Sequence, residues 1–409
     1  MGVSSHVESQ IHASQPCRRS ETPPSRRGGT GVKPQRAWAT IDLDLVSDNL
    51  RNLRDLLPEK KILAVVKADA YGHGSIPISR RLEAEGIDYL GVGTSREALE
   101  LRGAGISSPV LVLGALVEPE LDLLIEEGVS VTVHSPGRID ILQEAARRLD
   151  QPMAIHLLID TGMSRLGVSA DQAAQHARTI DRCSHLRLEG IGTHLPSPWD
   201  LNEVARQRAL LEEIVRELAA VGIHPPLIHI DASASALQSP APHANMVRIG
   251  GAIYGLSDKL PKADSFRPIL TLKSQIVYLR DHPPGQSIGY GGTYTTSRNC
   301  RLATIPIGYH DGFPSTLSNR GEVLVRGRRV PVVGRVTMDY TVIDVTEVEG
   351  TVVGDEVTLL GRDGSERIDV EEIALWCGIV PYEVTCLLGR RILRHHRTRI
   401  ADELELEGS

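Results

Sequence analysis

Ile62-Leu63-Ala64-Val65-Val66-Lys67-Ala68-Asp69-Ala70-Tyr71-Gly72-His73-Gly74 runs five apolar residues into a lysine and then into a loop of small residues. A short apolar run without alternation reads as a strand buried on both faces, the habit of parallel sheets. Seven more such runs follow: Tyr89–Gly93, Val110–Leu113, Val131–His134, Ala154–Ile159, Leu188–Thr193, Leu227–Ile230 and Met246–Ile249. Between them, Ser95–Gly103, Pro136–Leu149, Asp171–Ile180 and Glu203–Val221 repeat Leu, Ala and Ile at three- and four-residue spacing, with charges on the other face. That is the pattern of amphipathic helices. Eight strands alternating with helices predict an α/β chain built as a (β/α)₈ TIM-type barrel. An open doubly wound sheet would alternate too, but no strand here is followed by a GxGxxG turn.

Outward from the barrel the character changes. After about residue 265, β-branched runs at Thr271–Leu279, Arg301–Ile305, Glu322–Val325, Val330–Val333, Tyr340–Val345 and Glu356–Leu360 are separated by Gly, Pro or Asp turns. They predict a mostly β C-terminal domain over residues 266–400, closed by short helices at Ile368–Trp376 and Pro381–Leu388. The barrel is assigned to residues 37–265, with 37–43 a strand that could pair into the second domain. Residues 1–36 read as a disordered tail rich in Ser, Pro, Arg and Gly, with no apolar core of a secretory signal.

A chain of 409 residues with 41% hydrophobic and 24% charged residues can bury a full core. Its net charge of −7 argues against nucleic acid or an anionic membrane surface as partner. No run is long and apolar enough for a membrane span. The five cysteines (Cys17, Cys183, Cys300, Cys377 and Cys386) are odd in number and scattered, with no CxxC pair and no metal-type His/Cys spacing. A reducing, cytoplasmic setting and no metal site are expected.

In a barrel the C-terminal strand ends face the active site, so Lys67 arrives there from the first strand. Partial desolvation would lower its pKa and free the amine to form an imine with a carbonyl cofactor. Ser233 opens a helix after the seventh strand, and Gly250 and Gly251 follow the eighth; loops after those strands often bind phosphate through backbone N–H groups. A lysine at strand one and a phosphate site at strands seven and eight would span one cofactor. Arg165, just after strand five, could grip a carboxylate with both arms of its guanidinium.

These residues resemble a known family. Ala64–Gly74 is similar to the cofactor signature of bacterial alanine racemases. The likeness continues through Asp160–Gly167, Gly192-Thr193-His194, Arg248–Gly255, Gly289–Tyr294, Ile307–Gly312 and Gly334–Asp339, covering roughly residues 37 to 395 in order. It implies that Lys67 bears pyridoxal 5′-phosphate and acts as base for the D-enantiomer. Tyr290 would be the base for the L-enantiomer, supplied by the second domain of the other subunit of a homodimer. Tyr71, Ser233, Gly250 and Gly251 would hold the phosphate, Arg248 the pyridine nitrogen, Arg165 the substrate carboxylate, and Met338 would line the substrate pocket. His194, Tyr309 and Asp339 fall in supporting positions. The implied reaction is interconversion of L- and D-alanine, supplying D-alanine. Tyr290 would need cationic neighbours to ionise near neutrality, and Arg248 and His194 are the candidates.

Three positions depart from the family pattern. Leu158 stands where a lysine often tethers the carboxylate-binding arginine, Ala232 where an asparagine precedes the phosphate-binding serine, and Arg390 where a phosphate-binding tyrosine is expected. Arg390 could replace that hydroxyl with a charge-assisted contact. Leu158 leaves room for an alternative, a racemase for serine or a broader set of amino acids. A non-catalytic pyridoxal-phosphate-binding protein is a further reading, which the second domain and Tyr290 disfavour. A decarboxylase on the same barrel would need a catalytic cysteine, and Cys300 and Cys386 sit in no such motif.

Overall fold

The computed structural model describes residues 35–256 and 260–398; the expected tail lies outside them except for its last two residues. The first strand, β1 (Ala37–Asp42), runs straight into a helix, Leu43–Leu56. Asp42 makes that transition: its Oδ1 accepts from the N–H groups of Asp44 (2.9 Å) and Leu45 (3.0 Å), which the first helical turn leaves without partners.

The barrel begins with β2 (Lys61–Val65) and continues through β3 (Tyr89–Val92), β4 (Val110–Val112), β5 (Ser130–Val133), β6 (Met153–Asp160), β7 (Leu186–Gly192), β8 (Leu227–Ala232) and β9 (Met246–Ile249). Each pairs in parallel with the next, and β9 returns to β2, with Arg248 opposite Leu63. All eight expected strands are present, each within two residues of its predicted ends. The helices Ser95–Gly103 and Pro136–Leu149 match their predicted bounds.

The two faces of the strands meet different surroundings. Outward residues such as Ile62, Ala64 and Val66 join the large apolar core shared with the helices and the second domain. The inward face carries only a small apolar cluster: Leu63, Val65, Leu111, Leu227 and Met246. The rest of the lumen is polar. His156 from β6 and His229 from β8 are 0% and 1% exposed and fill the space beside β7. They can do so because β7 offers Gly190 and Gly192 there. A Cβ on Gly190 would lie 2.3 Å from His156 Nδ1, and one on Gly192 2.3 Å from His229 Nδ1.

The second domain is built on a sheet of β10 (Leu270–Gln275), β13 (Glu322–Val325), β14 (Arg328–Pro331), β16 (Glu356–Asp363) and β17 (Leu393–Arg397), while β11 (Tyr278–His282), β12 (Cys300–Ile305) and β15 (Thr341–Asp344) form a second, three-stranded sheet. β1 belongs to the first of these sheets: it lies antiparallel to β10 and parallel to β17. The single strand expected over Thr271–Leu279 is instead two. The backbone breaks at Ile276 and Val277, whose N–H groups turn to Asp355 and Thr304, so β10 and β11 enter different sheets. The run expected at Val330–Val333 starts earlier, and its strand ends at Pro331; beyond it Val332 donates to Gly321 and Val333 to Val342, so the chain passes over to β15. Among the described residues no helix is long and apolar enough to cross a membrane.

Replacing Gly192 with Ala places a methyl inside the His229 ring. Overpacking of this kind costs about 1–3 kcal/mol, so urea unfolding should show that loss. Gly103→Ala, at the end of its helix with open space around it, should cost nothing.

Candidate active site

Lys67 follows β2 directly, and the backbone after it does something L-residues avoid. Ala68, Asp69, Ala70 and Tyr71 all adopt left-handed helical angles, with φ between 52° and 55°. Each such residue costs roughly 1–2 kcal/mol, so the turn must be held from outside. Glu97 supplies one clamp: its Oε1 accepts from the Ala68 N–H (2.7 Å), and its Oε2 from the N–H groups of Gly93 (2.7 Å) and Thr94 (3.1 Å). The same carboxylate completes the capping box that starts the helix Ser95–Gly103. Arg394 adds a second clamp, donating through Nε to the Gly72 carbonyl at 2.7 Å. The Lys67 side chain is exposed in the isolated chain, so the desolvation expected for it does not come from this chain's own barrel.

Opposite Lys67, the ends of β8 and β9 form a cradle. Ser233 Oγ accepts from the Gly250 N–H at 3.2 Å, and the Tyr71 hydroxyl lies 2.7 Å from where a Gly250 Cβ would be. Gly251 is pressed in the same way against the Tyr382 hydroxyl. The rings of Tyr71, Tyr254 and Tyr382 pack on one another, at 5.1 Å between Tyr71 and Tyr254 and 5.7 Å between Tyr71 and Tyr382. Burial pushes the Tyr71 hydroxyl far above its ordinary pKa, so it stays protonated as a donor. Ala232 cannot cap the helix Ser233–Gln238, but the Ser235 hydroxyl takes over by accepting from the Ala232 N–H at 3.2 Å.

Arg248, 7% exposed, closes the floor of the mouth. Its Nη2 reaches the carbonyls of Thr193 (2.7 Å) and Ile230 (3.0 Å) and His194 Nδ1 (3.0 Å); its Nη1 lies 2.5 Å from His229 Nδ1. Burial lowers Arg248 to about 10, still a cation near neutrality. His194 is brought beside Arg248, as expected, but not as a cation. Burial first, then Arg248, Arg165 and Lys67, lower it to about 3. It is therefore a neutral ring whose Nδ1 accepts from Arg248 and whose Nε2–H can donate outward. Arg165 is exposed and, among the described residues, has no hydrogen bond or ion pair; half-buried Leu158 offers it none. The loop carrying Arg165 is shaped by Asp160, which accepts from the N–H groups of Gly162 (2.9 Å) and Ser164 (3.0 Å).

The second domain holds the other candidates. Tyr290, Tyr309, Met338 and Asp339 line one open concavity of about 1000 Å³, together with Arg335 and Tyr340, and no barrel-mouth residue lines it. Tyr290 is 75% exposed and Met338 51%. Arg391 ties this wall together, bonding Asp311 at 2.8 Å and Asp339 at 2.7 Å, and so joining the Tyr309 and Met338 loops. Its neighbour Arg390 is exposed. The aromatic residue that does reach the cradle is Tyr382, which the sequence motif contained without marking it.

Two outcomes follow for this site. Glu97→Ala removes three acceptor contacts, Thr94→Ala only a cap; denaturant unfolding should show a loss of about 2 kcal/mol or more for the first and about 1 for the second. Equal losses would mean that the carboxylate does not hold the left-handed turn. The buried histidines set the acid response. Burial lowers His73 to about 4, His194 to about 3, and both His156 and His229 as well. The unfolded chain takes up their protons below its pKa of about 6.5 and the folded chain does not, so stability falls as pH drops from there toward 4, with a slope of roughly 1.4 kcal/mol per pH unit for each proton. Unfolding free energies measured between pH 7 and pH 4 will check it; a flat profile down to the carboxylate range contradicts it.

Comparison with known proteins agrees with this geometry. Residues 41–258 match the family model "Alanine racemase, N-terminal domain", and residues 269–396 match "Alanine racemase, C-terminal domain". The alanine racemase of Methanococcus maripaludis is 38% identical, with 87% of this chain and 97% of the relative covered. That of Geobacter sulfurreducens is 41% identical over 87% and 96%. Among solved structures, the alanine racemase of Clostridium difficile 630 superposes with a TM-score of 0.85 at 34% identity, covering 90% of this chain and 97% of that one. The Bacillus anthracis enzyme with bound L-Ala-P gives 0.82 at 32% identity, covering 90% and 97%. Matched in both domains and aligned with these relatives nearly end to end, the chain belongs to the alanine racemase family of isomerases.

Proposed function

We propose that this enzyme interconverts L- and D-alanine with pyridoxal 5′-phosphate held on Lys67. The observation that carries the reading is the cradle opposite Lys67. The Tyr71 and Ser233 hydroxyls and the Gly250 N–H converge where no Cβ intrudes, a donor set and a shape that suit a phosphate. Arg248 would face the pyridine nitrogen. Pyridoxal phosphate, when bound, supplies an electron sink for the pair left at Cα when its proton departs.

The chain's own groups do the rest. A racemase needs a proton carrier on each face of a planar carbon. The Lys67 amine serves one face, and the Tyr290 hydroxyl of a partner subunit the other. Support for a shared site comes from the second-domain wall: Tyr290 and Met338 open to solvent in a concavity without a barrel residue in it. Covering the barrel mouth with that wall would also exclude water from Lys67. The His194 Nε2–H and the Arg248 charge would stabilise a tyrosinate of the partner subunit, the first by donation and the second by its field. Arg165 would bind the substrate carboxylate. Its lack of any partner favours a second reading, a broader amino-acid range that includes serine, because an untethered guanidinium defines the carboxylate position loosely. The free cysteines Cys183, Cys300, Cys377 and Cys386 suit a reducing, cytoplasmic setting.

Incubating the purified enzyme with single L-amino acids and following loss of optical activity decides the substrate range; activity on alanine alone supports the first reading, and inactivity on every amino acid refutes both. Lys67→Ala should abolish the absorbance of lysine-bound cofactor, and Tyr290→Phe should leave that absorbance intact while stopping L-alanine turnover. Mixing the two inactive variants under conditions of subunit exchange should then restore roughly a quarter of the wild-type activity, since heterodimers carry one intact shared site. No recovery, with exchange verified by mass, means that each chain builds its site alone.

A further inference from the structure

A line of hydrogen bonds crosses the barrel lumen that none of these roles uses. Arg248 Nη1 lies 2.5 Å from His229 Nδ1, His229 Nε2 lies 3.0 Å from His156 Nδ1, and His156 Nε2 lies 3.1 Å from Glu189 Oε2. Glu189 also accepts from Ser130 Oγ at 2.7 Å and Arg187 Nη2 at 2.8 Å. The four members of the line are between 0% and 8% exposed. The lumen is shaped for them, because Gly190 and Gly192 leave free the volume that the two imidazoles occupy.

Only one arrangement of protons satisfies every atom. A guanidinium can donate but not accept, so His229 Nδ1 must be bare. A neutral imidazole carries one N–H, which puts the His229 proton on Nε2, pointing at His156. His156 Nδ1 must then accept, and its own proton lies on Nε2, pointing at Glu189. A carboxylate accepts and does not donate, so both ends impose the same direction. The ends also differ widely in acidity: against the burial that would raise it, donation from His156, Ser130 and Arg187 holds Glu189 at about 2, while Arg248 stays near 10. The protons therefore do not shift along the line.

We propose that Glu189 is a positioning residue for the racemisation site: as an obligate acceptor at the far end of the line it anchors His156 and His229 in the one tautomer that Arg248 also requires, and through them holds the Arg248 guanidinium in one orientation. The inference rests on the reading of Arg248 as the partner of the pyridine nitrogen, but its proton pattern does not. With the line intact His229 can only accept from Arg248, so a proton that Arg248 gave up would not be replaced through the lumen, and the orientation of the guanidinium toward the pyridine nitrogen would depend partly on a carboxylate on the far side.

Neutron diffraction from perdeuterated crystals of the purified enzyme tests the pattern directly. His156 and His229 should each carry a single deuteron, on Nε2; a deuteron on Nδ1 of either ring overturns the proposal whether or not any variant folds. In Glu189→Gln the amide can turn either its oxygen or its NH₂ to His156 Nε2, so this end no longer imposes a direction. Arg248 still keeps His229 Nδ1 bare, so the deuterons should stay on Nε2 while the contact between His156 and residue 189 lengthens or breaks; an unchanged contact counts against Glu189 as the anchor. With alanine, this variant should lose about tenfold in kcat with little change in KM, the value of one charged hydrogen bond. Unchanged kcat with a broken contact at residue 189 removes the link to Arg248. If the cofactor reading itself is wrong, the Lys67 and Tyr290 variants fail their tests while the deuteron positions stand.

Discussion

A guanidinium taken out of water has to find an acceptor for nearly every hydrogen it carries, and Arg248 finds them only because several parts of the barrel end at the same place. The carbonyl of Thr193 is available because β7 stops just before it, and that of Ile230 because the register between β8 and β9 shifts there. His194 and His229 contribute ring nitrogens rather than carboxylates. The nearest carboxylate with any bearing on it, Asp231, is itself tied to Arg208 at 2.7 Å. The mouth of the barrel therefore keeps a positive charge unneutralised by direct pairing, in a place where burial makes such a charge count. That residual field adds to burial in holding His194 neutral.

The mouth is assembled from rigid pieces whose strain is contained locally. The left-handed turn after Lys67 is unfavourable by itself, yet one glutamate fastens it to the start of the neighbouring helix, so the turn and the helix cap form together. In the second domain, Arg391 does a similar job for the loops bearing Tyr309 and Met338. Arg394 and Tyr382 of the second domain brace the Lys67 turn and the cradle, but the wall that bears Tyr290 shares none of its lining with the barrel mouth. On the proposed reading, a partner chain would bring its Tyr290 wall to this mouth already formed.

The parts of the fold that were legible in the sequence are those in which burial writes a pattern. β2 and β4 are rich in apolar residues on both faces and stood out, and Lys67 was legible as a candidate by its place at a strand end. Tyr71, Ser233 and Gly250 were legible by position and are brought together; Tyr290 and Met338 share a wall that Lys67 does not line. What stayed hidden has no apolar signature. β17 reads Leu393-Arg394-His395-His396-Arg397, polar after its first residue, and is a strand because β1 offers it a free edge. Glu97 looked like an ordinary helix residue. The lumen line of Glu189, His156 and His229 left one trace, the two glycines in β7, which a reading of strand propensity counts as weakness. The switch of sheets at Ile276 was invisible because both sides of it are equally β-prone.

The pairing of β1 with β10 and β17 bears on how the chain can be made. Translation proceeds from the N-terminus, so β1 leaves the ribosome first. The partners that cover it arrive after the whole barrel; Arg36 and Ser274, which meet at 2.7 Å, are 238 positions apart. β17 is among the last described residues. The barrel strands, by contrast, find their neighbours in order as they emerge and close the ring at β9. Synthesis therefore yields a barrel preceded by a waiting strand, and only the final segment completes the sheet that holds it. The second domain is finished by joining the oldest and youngest parts of the polypeptide, so an early stop in translation removes a strand from beside the very first one made.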